Sequence, residues 1–427
     1  MKKPNIIFYF SDQQRADSAG CYGQKLPVTP NLDALAEEGT LFENAFTCQP
    51  VCGPMRACLQ SGVYASQNGC YRNDIALPTD CKTIAHCVKD AGYETAYIGK
   101  WHLASDKEHR LATKPTPPER RGGYDYWRAA DILEFTSHGY NGYIFDENCE
   151  RIDFKGYRAD KINDFAIEYI KKPHEKPFFM FVSQLEPHHQ NDRLRFESPK
   201  GLKSQFKDYE IPGDLKGTIG DWRMQMPSYL ACCNRVDENF GKLIQALKDE
   251  DLYDNTVIIY TSDHGCHFRT RNMEYKRSCH ESSIKVPLVI CGGGFKGGGR
   301  ISDLVSLIDL PATILDIAGA EIPENFMGKS LTDLKGHESV FIQISESQIG
   351  RAVRTDRWKY SVTAKNADKA FANEYTDDFL YDLENDPYEK NNLIGKSEYD
   401  SIRLEMREIL IEHMKKSGEP SLIINDK

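Results

Sequence analysis

Short apolar runs alternate along most of this chain with segments of helical periodicity, and this alternation limits its fold more than any other feature. Runs rich in β-branched and aromatic residues predict strands at 5–10, 95–100, 177–184, 255–261 and 286–291. Between them, the spacing of apolar residues predicts helices over 31–39, 82–92, 158–172 and about 228–249. Such alternation favours an α/β fold with a large, mostly parallel central sheet flanked by helices.

The pattern changes after about residue 340. Short β-rich segments lie at 339–345, 351–362 and 378–386, and a helical segment follows at 401–416. We therefore predict an α/β domain over 1–338, which carries the candidate catalytic residues, and a C-terminal subdomain over 339–427. The subdomain should contain an antiparallel sheet plus a helix.

Net charge and the length of the apolar runs argue against two classes of partner. A formal charge of −10 over 427 residues gives no reason to expect nucleic acid or an anionic membrane surface. The longest apolar runs have the length of strands, so no membrane span is expected. The first run follows two lysines but is too short for a signal peptide, and we expect a cytoplasmic protein unless an export signal was trimmed.

Cys52 is distinguished from the other cysteines by its neighbours. The chain has 13 cysteines, no two of them three residues apart, so buried reduced thiols are expected rather than C-x-x-C zinc or redox sites. In the segment 48–62, Pro50 and Pro54 bracket Cys52, and Arg56 follows it by four residues. This arrangement fixes the backbone around a single thiol.

Asp12 and the pair Asp263-His264 follow two of the predicted strands closely. The carboxyl ends of neighbouring parallel strands meet at one edge of a sheet, where ligands bind. Two aspartates brought together there repel each other unless a cation lies between them, and oxygen ligands suit Ca²⁺ or Mg²⁺, with Mn²⁺ also compatible with a histidine. The alternative is that both aspartates cap turns after their strands.

Other polar residues follow strands in the same way. Lys100 and His102 are two residues apart and point to one side of an extended chain, where they could hold an anion and move a proton. His188 and His189 follow the strand at 177–184, and Lys276 precedes the strand at 286–291. Each also has an ordinary interpretation, as a packed histidine, a polar loop or a solvated lysine.

Taken together, these motifs resemble the type I sulfatases of the alkaline-phosphatase superfamily. The resemblance rests on Asp12, C-x-P-x-R at 52–56, GKWHL at 99–103, PHH at 187–189, SDH at 262–264 and Lys276 in the polar loop before the strand that begins with VPL. It runs nearly end to end and includes RAVRTDRWKY and LYDLENDPYEKNNL in the C-terminal part. The order and spacing of the motifs match the family.

The resemblance implies a chemical role for Cys52. In this family the motif cysteine is oxidised after translation to formylglycine, by a formylglycine-generating enzyme or an anaerobic sulfatase-maturating enzyme. The hydrated aldehyde, a geminal diol, attacks the sulfur of a sulfate ester, and its second hydroxyl later expels sulfate. A serine could be sulfated in the same way but could not eliminate the product.

The resemblance also implies roles for the remaining motif residues. One divalent cation, Ca²⁺ before Mg²⁺ or Mn²⁺, would be held by Asp12, Gln13, Asp263, His264 and the residue at position 52. Arg56 and Lys100 would orient the diol, and His102 would take a proton during elimination. His188 would protonate the leaving alcohol with help from Lys276, because an alkoxide leaves poorly.

Three positions depart from the common pattern of the family. Gln13 stands where many members have Asp, His264 where many have Asn, and Met55 where Ser or Ala is usual. The Gln and His pattern also resembles the phosphonate monoester hydrolases of the superfamily, so hydrolysis of phosphonate or phosphate esters is the alternative reaction. A further alternative is a binding protein in which Cys52 stays a thiol.

The substrate class is predicted from the polar residues after His188. We expect a sulfated carbohydrate or a glycosaminoglycan-type oligosaccharide, with hydroxyls and a carboxylate read by residues His189, Asn191, Asp192, Arg193 and Arg195. A pocket for a small aryl sulfate would show more apolar residues there. The alternative is that these five residues form a solvated rim.

Overall fold

Two β-sheets organise the chain in the computed structural model, which describes residues 2–364, 369–420 and 422–427. The larger sheet has eleven strands within these residues. In chain order they are β1 (Asn5–Ser11), β2 (Thr40–Phe46), β3 (Glu94–Lys100), β4 (Tyr126–Ala130), β5 (Ser137–His138), β6 (Asn141–Asp146), β7 (Arg151–Lys155), β8 (Phe178–Ser183), β9 (Thr256–Ser262), β10 (Leu288–Cys291) and β11 (Gly299–Ser306).

The centre of this sheet is parallel and its flanks are mixed. The order is β11-β2-β10-β9-β1-β8-β3-β4-β6-β5, with β7 paired to β6. Strands β9, β1, β8, β3 and β4 run parallel to one another, whereas β10 pairs antiparallel with β9 and β6 pairs antiparallel with β4. The predicted mostly parallel α/β sheet is confirmed.

Helices cover both faces of the sheet, which explains the continuous apolar strands. Every residue of β1 is buried, with Phe8 packed in one apolar core and Tyr9 in the other. Helices α1, α6 and α7 contribute to the core around Tyr9, and α2, α4 and α9 to the core around Phe8. The helices are α1 (Pro30–Glu38), α2 (Cys52–Ser61), α3 (Ala65–Asn68), α4 (Ile84–Asp90), α5 (Leu133–Thr136), α6 (Arg158–Ile170), α7 (Trp222–Asp249), α8 (Glu281–Ile284), α9 (Asp309–Ala318) and α10 (Asp400–Lys416).

A second sheet forms the C-terminal part, as predicted, and has five strands within the described residues. Its strands, in spatial and chain order, are β12 (Ser339–Ile344), β13 (Ile349–Thr355), β14 (Trp358–Ala364), β15 (Glu374–Asp382) and β16 (Ile423–Asn425). The first four pair antiparallel, and β16 adds in parallel. Helix α10 buries Met406, Leu410 and Met414.

The two parts of the chain share apolar cores. Phe46 and Leu304 of the large sheet pack with Val340 and Ile342 of β12. Strand β12 begins at Ser339, but the domain boundary at 338 itself stays a prediction. Among the described residues, no helix is both long enough and apolar enough to cross a membrane.

Candidate active site

Parallel pairing brings three strand ends to one point. Strand β1 lies between β8 and β9, with Ser11 opposite Ser262 and Phe10 opposite Ser183. Asp12 and Asp263 therefore leave neighbouring strands side by side. Lys100 ends β3, the strand beyond β8, so its side chain reaches the same edge.

A glycine allows β3 to approach β8 closely at this point. Gly99 has a φ of +107°, and an added Cβ would lie 1.9 Å from the carbonyl oxygen of Ser183. No side chain fits there, which gives a physical reason for glycine before Lys100. His102 follows with a φ of +62°, an uncommon conformation for a residue other than glycine.

Cys52 is the first residue of α2, and its side chain lies among charged groups. Its Sγ is 2.8 Å from Lys276 Nζ, 3.2 Å from His264 Nε2 and 3.5 Å from Asp12 Oδ1. Pro54 fits the first helical turn, where no backbone N–H is needed. Arg56 lies one turn after Cys52, on the same side of the helix. The motif thus places a thiol and a guanidinium together at the sheet edge.

The electrostatic surroundings favour the thiolate of Cys52. Burial raises the pKa of this thiol, but the charges of Lys100, Lys276 and His264 outweigh burial and bring the pKa well below its ordinary value. A hydrogen bond with the His102 side chain lowers it further. Burial and the charge of Lys100 lower the pKa of His102, which favours a neutral imidazole able to accept a proton.

The buried carboxylates form a group suited to a cation. Ligand atoms of Asp12, Cys52, Asp263 and His264 all lie within 4.8 Å of one another. Asp263 Oδ2 is buried and has no hydrogen-bond partner among the described residues, and burial together with the charge of Asp12 raises the pKa of Asp263 to about 6. A cation would relieve both problems, so these residues fit the divalent ion that the family resemblance implies.

His264 is oriented for the same purpose. Its Nδ1 donates to the carbonyl oxygen of Gly265 at 3.0 Å, which leaves Nε2 facing Asp12 at 3.8 Å and Asp263 at 3.6 Å. A backbone partner of this kind fixes the ring of a metal-binding histidine. The backbone N–H of Gln13 donates to Asp263 Oδ1 at 2.9 Å. The side-chain oxygen of Gln13 lies 3.5 Å from the backbone nitrogen of His189. Gln13 stays a predicted ligand.

Arg56 and Lys100 both bind Asp12. Arg56 donates to Asp12 Oδ2 at 3.0 Å and to Ser183 Oγ at 2.6 Å, and Lys100 Nζ lies 2.6 Å from the same carboxylate oxygen. Burial and the Cys52 charge raise the pKa of Asp12, but these cations and His188 bring it below its ordinary value overall. Asp12 is therefore held ionised at the centre of the site.

His188 lies beside a cation and a carboxylate. Its Nε2 is 3.1 Å from Lys276 Nζ, and its Nδ1 is 3.7 Å from Glu134 Oε2. Glu134 is fixed in turn by Asn191, which donates a backbone N–H at 2.8 Å and its side-chain amide at 3.2 Å. Lys276 thus links Cys52 to His188.

A cavity of about 490 Å³ opens onto these groups. Its walls include the predicted residues Gln13, Cys52, Lys100, His102, His188 and Lys276. Of the five predicted substrate-contact residues, Asn191 alone is among its lining residues.

The other four predicted substrate-contact residues have different partners. His189 is 1% exposed and stacks on Tyr275 with ring centroids 4.3 Å apart. Asp192 pairs with His138, while Arg193 and Arg195 both pair with Glu197. None of these side chains lines the cavity, so their role in substrate binding stays a prediction without geometric support.

Sequence reasoning missed several residues of the cavity wall. They are Asn73, Asp74, Ile132, Glu134, Phe135, Arg269, Met273, Glu274, Tyr275 and Arg277. Glu134 could have been inferred, because it closely follows β4, the neighbour of β3. The loop 268–277 carries no periodic pattern and gave no signal beyond Lys276.

Comparison with known proteins identifies the family. The family model for sulfatases matches residues 4–320, and that for the C-terminal part of N-sulphoglucosamine sulphohydrolase matches residues 272–416. The chain belongs to the sulfatase family. This membership makes it a sulfuric ester hydrolase by family and confirms the resemblance noted in its motifs.

Individual sulfatases match over nearly the whole chain. An uncharacterised Escherichia coli K12 sulfatase, YidJ, is 32% identical, and the match covers 98% of this chain and 89% of that one. An N-acetylglucosamine-6-O-sulfatase of Bacteroides thetaiotaomicron is 28% identical, with 98% and 88% covered.

Solved structures show the same fold. A protein in complex with its substrate, D-glucosamine-2-N,6-O-disulfate, matches with a TM-score of 0.79 and 26% identity, covering 97% of this chain and 98% of that one. A phosphonate monoester hydrolase of Agrobacterium radiobacter matches with a TM-score of 0.77 at 20% identity, covering 97% and 96%, which shows the shared fold alone.

Proposed function

We propose that this sulfatase hydrolyses sulfate esters of carbohydrates, using formylglycine made from Cys52 and one divalent cation, Ca²⁺ in the first place. The observation that carries the proposal is the position of Cys52 Sγ, between the buried carboxylate group and Lys276. The nucleophile at position 52 therefore lies beside both a cation site and a lysine that contacts the candidate acid, His188.

The cation would be held by Asp12, Asp263, His264 and the residue at position 52, with Gln13 as a further ligand. When bound, it supplies positive charge that stabilises an ionised oxygen nucleophile and polarises the sulfate group. The formylglycine supplies the oxygen nucleophile and a route for releasing sulfate after transfer. The protein's part is to keep both carboxylates buried and ionised, which Arg56 and Lys100 do for Asp12.

Departure of the alcohol needs a proton donor, and His188 is suited to that role. Lys276 Nζ lies between Cys52 Sγ at 2.8 Å and His188 Nε2 at 3.1 Å. On the proposed mechanism the lysine would contact the transferring sulfate, and His188 would be close enough to protonate the ester oxygen. The Glu134 carboxylate lies on the other side of the ring, with its Oε2 3.7 Å from Nδ1. A positioned acid of this kind contributes a factor of roughly 10²–10⁴.

His102 is the candidate base. Its lowered pKa favours the neutral ring and its side chain contacts Cys52, while its Nδ1 has no hydrogen-bond partner in the part of the chain that the structure describes. A neutral histidine can accept a proton from the residue at position 52 when sulfate is released. Lys100, bound to Asp12, contributes the charge that keeps His102 neutral.

A carbohydrate substrate is supported by the relatives and by the cavity. One relative is an N-acetylglucosamine-6-O-sulfatase, and one related structure holds a disulfated glucosamine as its substrate. Most residues that line the cavity of about 490 Å³ are polar or charged, with Ile132, Phe135 and Met273 among them as apolar residues, and its size suits a sugar unit.

Oxidation of Cys52 would have to precede folding. The residue is 1% exposed and helical in the folded protein, whereas a modifying enzyme that reads a short extended peptide needs the segment unfolded. A formylglycine-generating or anaerobic sulfatase-maturating enzyme is therefore the proposed partner, acting on the nascent chain.

Mass spectrometry of the peptide 48–62, combined with turnover assays, tests this function. We expect formylglycine at position 52 in active preparations, loss of turnover with a chelator, and no turnover by Cys52→Ala. Cys52→Ser should stop after at most one sulfate transfer, provided that the host leaves the serine unoxidised. Sustained turnover by an unmodified thiol or serine would refute the mechanism.

The alternative reaction is tested with esters of one alcohol. The fold is shared with a phosphonate monoester hydrolase, and Gln13 and His264 resemble that class. Sulfate, phosphonate and phosphate esters of nitrophenol should be compared with the same modified enzyme. A higher kcat/KM for the phosphonate would replace the sulfatase assignment.

A further inference from the structure

We propose that Arg269 binds a second anionic group of the substrate, so that the enzyme prefers sugars carrying a carboxylate or a second sulfate besides the sulfate that is cleaved. This inference rests on the proposed function and names the substrate class more narrowly. Arg269 lies on the wall of the cavity that contains Cys52, His188 and Lys276.

Arg269 is the cavity arginine without a close carboxylate partner, within the part of the chain that the structure describes. The other arginine of the wall, Arg277, is paired with Glu274 and Glu346. The nearest carboxylate to Arg269 is Asp221, at 3.8 Å, and the hydroxyl of Tyr275 already donates to it. The Arg269 guanidinium thus keeps its donors available to a ligand.

The guanidinium is nevertheless held in place. Its carbon lies 5.0 Å from the centre of the Tyr275 ring, and His189 stacks on the same ring. Stacking of this kind restricts a guanidinium without using its N–H donors. With 38% of its side chain exposed, Arg269 is both oriented and accessible.

The backbone at this position is an independent observation. Phe268 and Arg269 have φ values of +49° and +62°, two consecutive residues other than glycine in the left-handed region. Phe268 is fully buried among aromatic residues and its carbonyl accepts the N–H of Asp221, so the packing holds this conformation. Strained positions of this kind concentrate at ligand sites.

Arg269 and Lys276 lie on the same loop but have different contacts. The sulfate to be cleaved is assigned to Cys52, Lys100 and Lys276, because the Lys276 ammonium contacts Cys52, whereas the Arg269 guanidinium stacks on Tyr275. An arginine can bind either a carboxylate or a sulfate through two parallel hydrogen bonds. Both groups are oxyanions, planar in a carboxylate and tetrahedral in a sulfate. The assay shows which of the two Arg269 binds.

Two matched pairs of substrates test the proposal with the formylglycine-containing, metal-loaded enzyme. The first pair is glucosamine-2-N,6-O-disulfate and N-acetylglucosamine 6-sulfate, and the second is glucuronic acid 2-sulfate and glucose 2-sulfate. We expect kcat/KM to favour the doubly anionic member of one pair by about 10-fold, because hydrogen bonds to charged groups are strong but partly screened here. A preference in the first pair indicates a sulfate, and in the second a carboxylate.

In Arg269→Gln this preference should fall to near unity, while turnover of the singly charged member is retained. Arg223→Gln is the matched control, because Arg223 is an exposed arginine stacked on Trp222 that does not line the cavity. The proposal is overturned if the wild type prefers neither dianion, or if Arg269→Gln lowers kcat/KM equally for both members of a pair.

Binding separates this proposal from the proposed function. Calorimetric titration of Cys52→Ala with the same four sugars needs no turnover, so it reads the preference even if no sulfate ester is hydrolysed. Loss of the preference in Cys52→Ala/Arg269→Gln supports the Arg269 site, whereas an unchanged preference contradicts it.

Discussion

Replacing Asp263 with asparagine should stabilise the metal-free protein at neutral pH, although it removes a predicted metal ligand. Asp263 Oδ1 accepts the backbone N–H groups of Gln13 at 2.9 Å and His264 at 2.8 Å, whereas Oδ2 is buried and finds no hydrogen-bond partner within residues 2–364, 369–420 and 422–427. Burial and the charge of Asp12 raise the pKa of Asp263 to about 6. Asparagine keeps an acceptor at Oδ1 and removes the charge.

The size of the effect follows from the pKa. A rise from 3.8 to about 6 means that ionising Asp263 costs the metal-free folded state about 3 kcal/mol at neutral pH. The pKa of Asp263 is higher in the folded state than in the unfolded state. Protonated Asp263 therefore spares the folded protein this cost below pH 4, and the folded protein loses that advantage as pH rises towards 6. For a chain of this length, about 3 kcal/mol corresponds to roughly 3 °C in Tm.

Calorimetric melting of chelator-treated wild type and Asp263→Asn between pH 4.5 and 8 measures this difference. The variant should melt higher at pH 7.5, and the gap should shrink towards pH 4.5. Ca²⁺ at 1,000 times its Kd should reverse the order, because it stabilises the folded wild type by about 4.1 kcal/mol, more than the advantage of the variant.

Asp237→Asn is the matched control for the cation. Asp237 is another buried carboxylate whose pKa is raised to about 6, chiefly by burial, but it accepts hydrogen bonds from Asn31 and Leu32 away from the site. Its stability difference from wild type should not change when Ca²⁺ is added. If metal-free Asp263→Asn melts no higher than wild type at pH 7.5, or if its gap does not depend on pH, the reasoning is wrong.

Two further perturbations test other parts of the site. His188→Ala should reduce turnover of alkyl (sugar) sulfates by roughly 10²–10⁴ but harm nitrophenyl sulfate far less, because nitrophenolate leaves without protonation; equal losses would remove His188 from the acid role. Glu346→Ala should lower kcat/KM by roughly 10-fold through misplacement of neighbouring groups, because Glu346 accepts the N–H of Asn73 at 2.6 Å and pairs with Arg277. Glu346→Gln keeps an acceptor for Asn73 and should lose less, and equal activity of both variants with wild type would contradict this positioning role.

The central strands could be predicted from the sequence because they are buried on both faces. Residues 5–10 and 256–261 are continuous apolar runs, and such runs occur in parallel strands covered by helices. The outer strands β4, β6 and β7 were not predicted. They are short, mix buried with exposed residues and follow the irregular segment 114–123, so their local pattern is weak.

The centre of the site could be predicted for a related reason. Asp12, Lys100 and Asp263 come at or directly after strands, so the topology fixes where their backbones meet. Cys52 and Arg56 were found through their motif. Their actual contacts were less predictable: Arg56 and Lys100 bind Asp12 directly, a partner that the sequence did not indicate.

Substrate contacts could not be predicted from proximity in sequence. Arg193 and Arg195 follow His188 closely, yet both side chains turn to Glu197. Arg269 lines the cavity, and Glu346 contacts the lining residues Asn73 and Arg277. Both lie in irregular loops and have a positive φ. In such loops the direction of a side chain depends on tertiary packing, which no local pattern records.

The balance of charge at the centre connects the cation to anion binding. Three buried cationic side chains, Arg56, Lys100 and Lys276, face the carboxylates of Asp12 and Asp263, and the lowered pKa of Cys52 favours a thiolate that completes neutrality. A buried centre with no net charge exerts little electrostatic attraction on a sulfate ester. A divalent cation would leave an excess of positive charge there, which the sulfate group of the substrate would partly offset, while the ionised nucleophile would take the place of the thiolate. On the proposed mechanism the cation would supply charge that favours both the ionised nucleophile and the binding of an anion, while Lys276 and His188 would deliver the proton to the leaving alcohol.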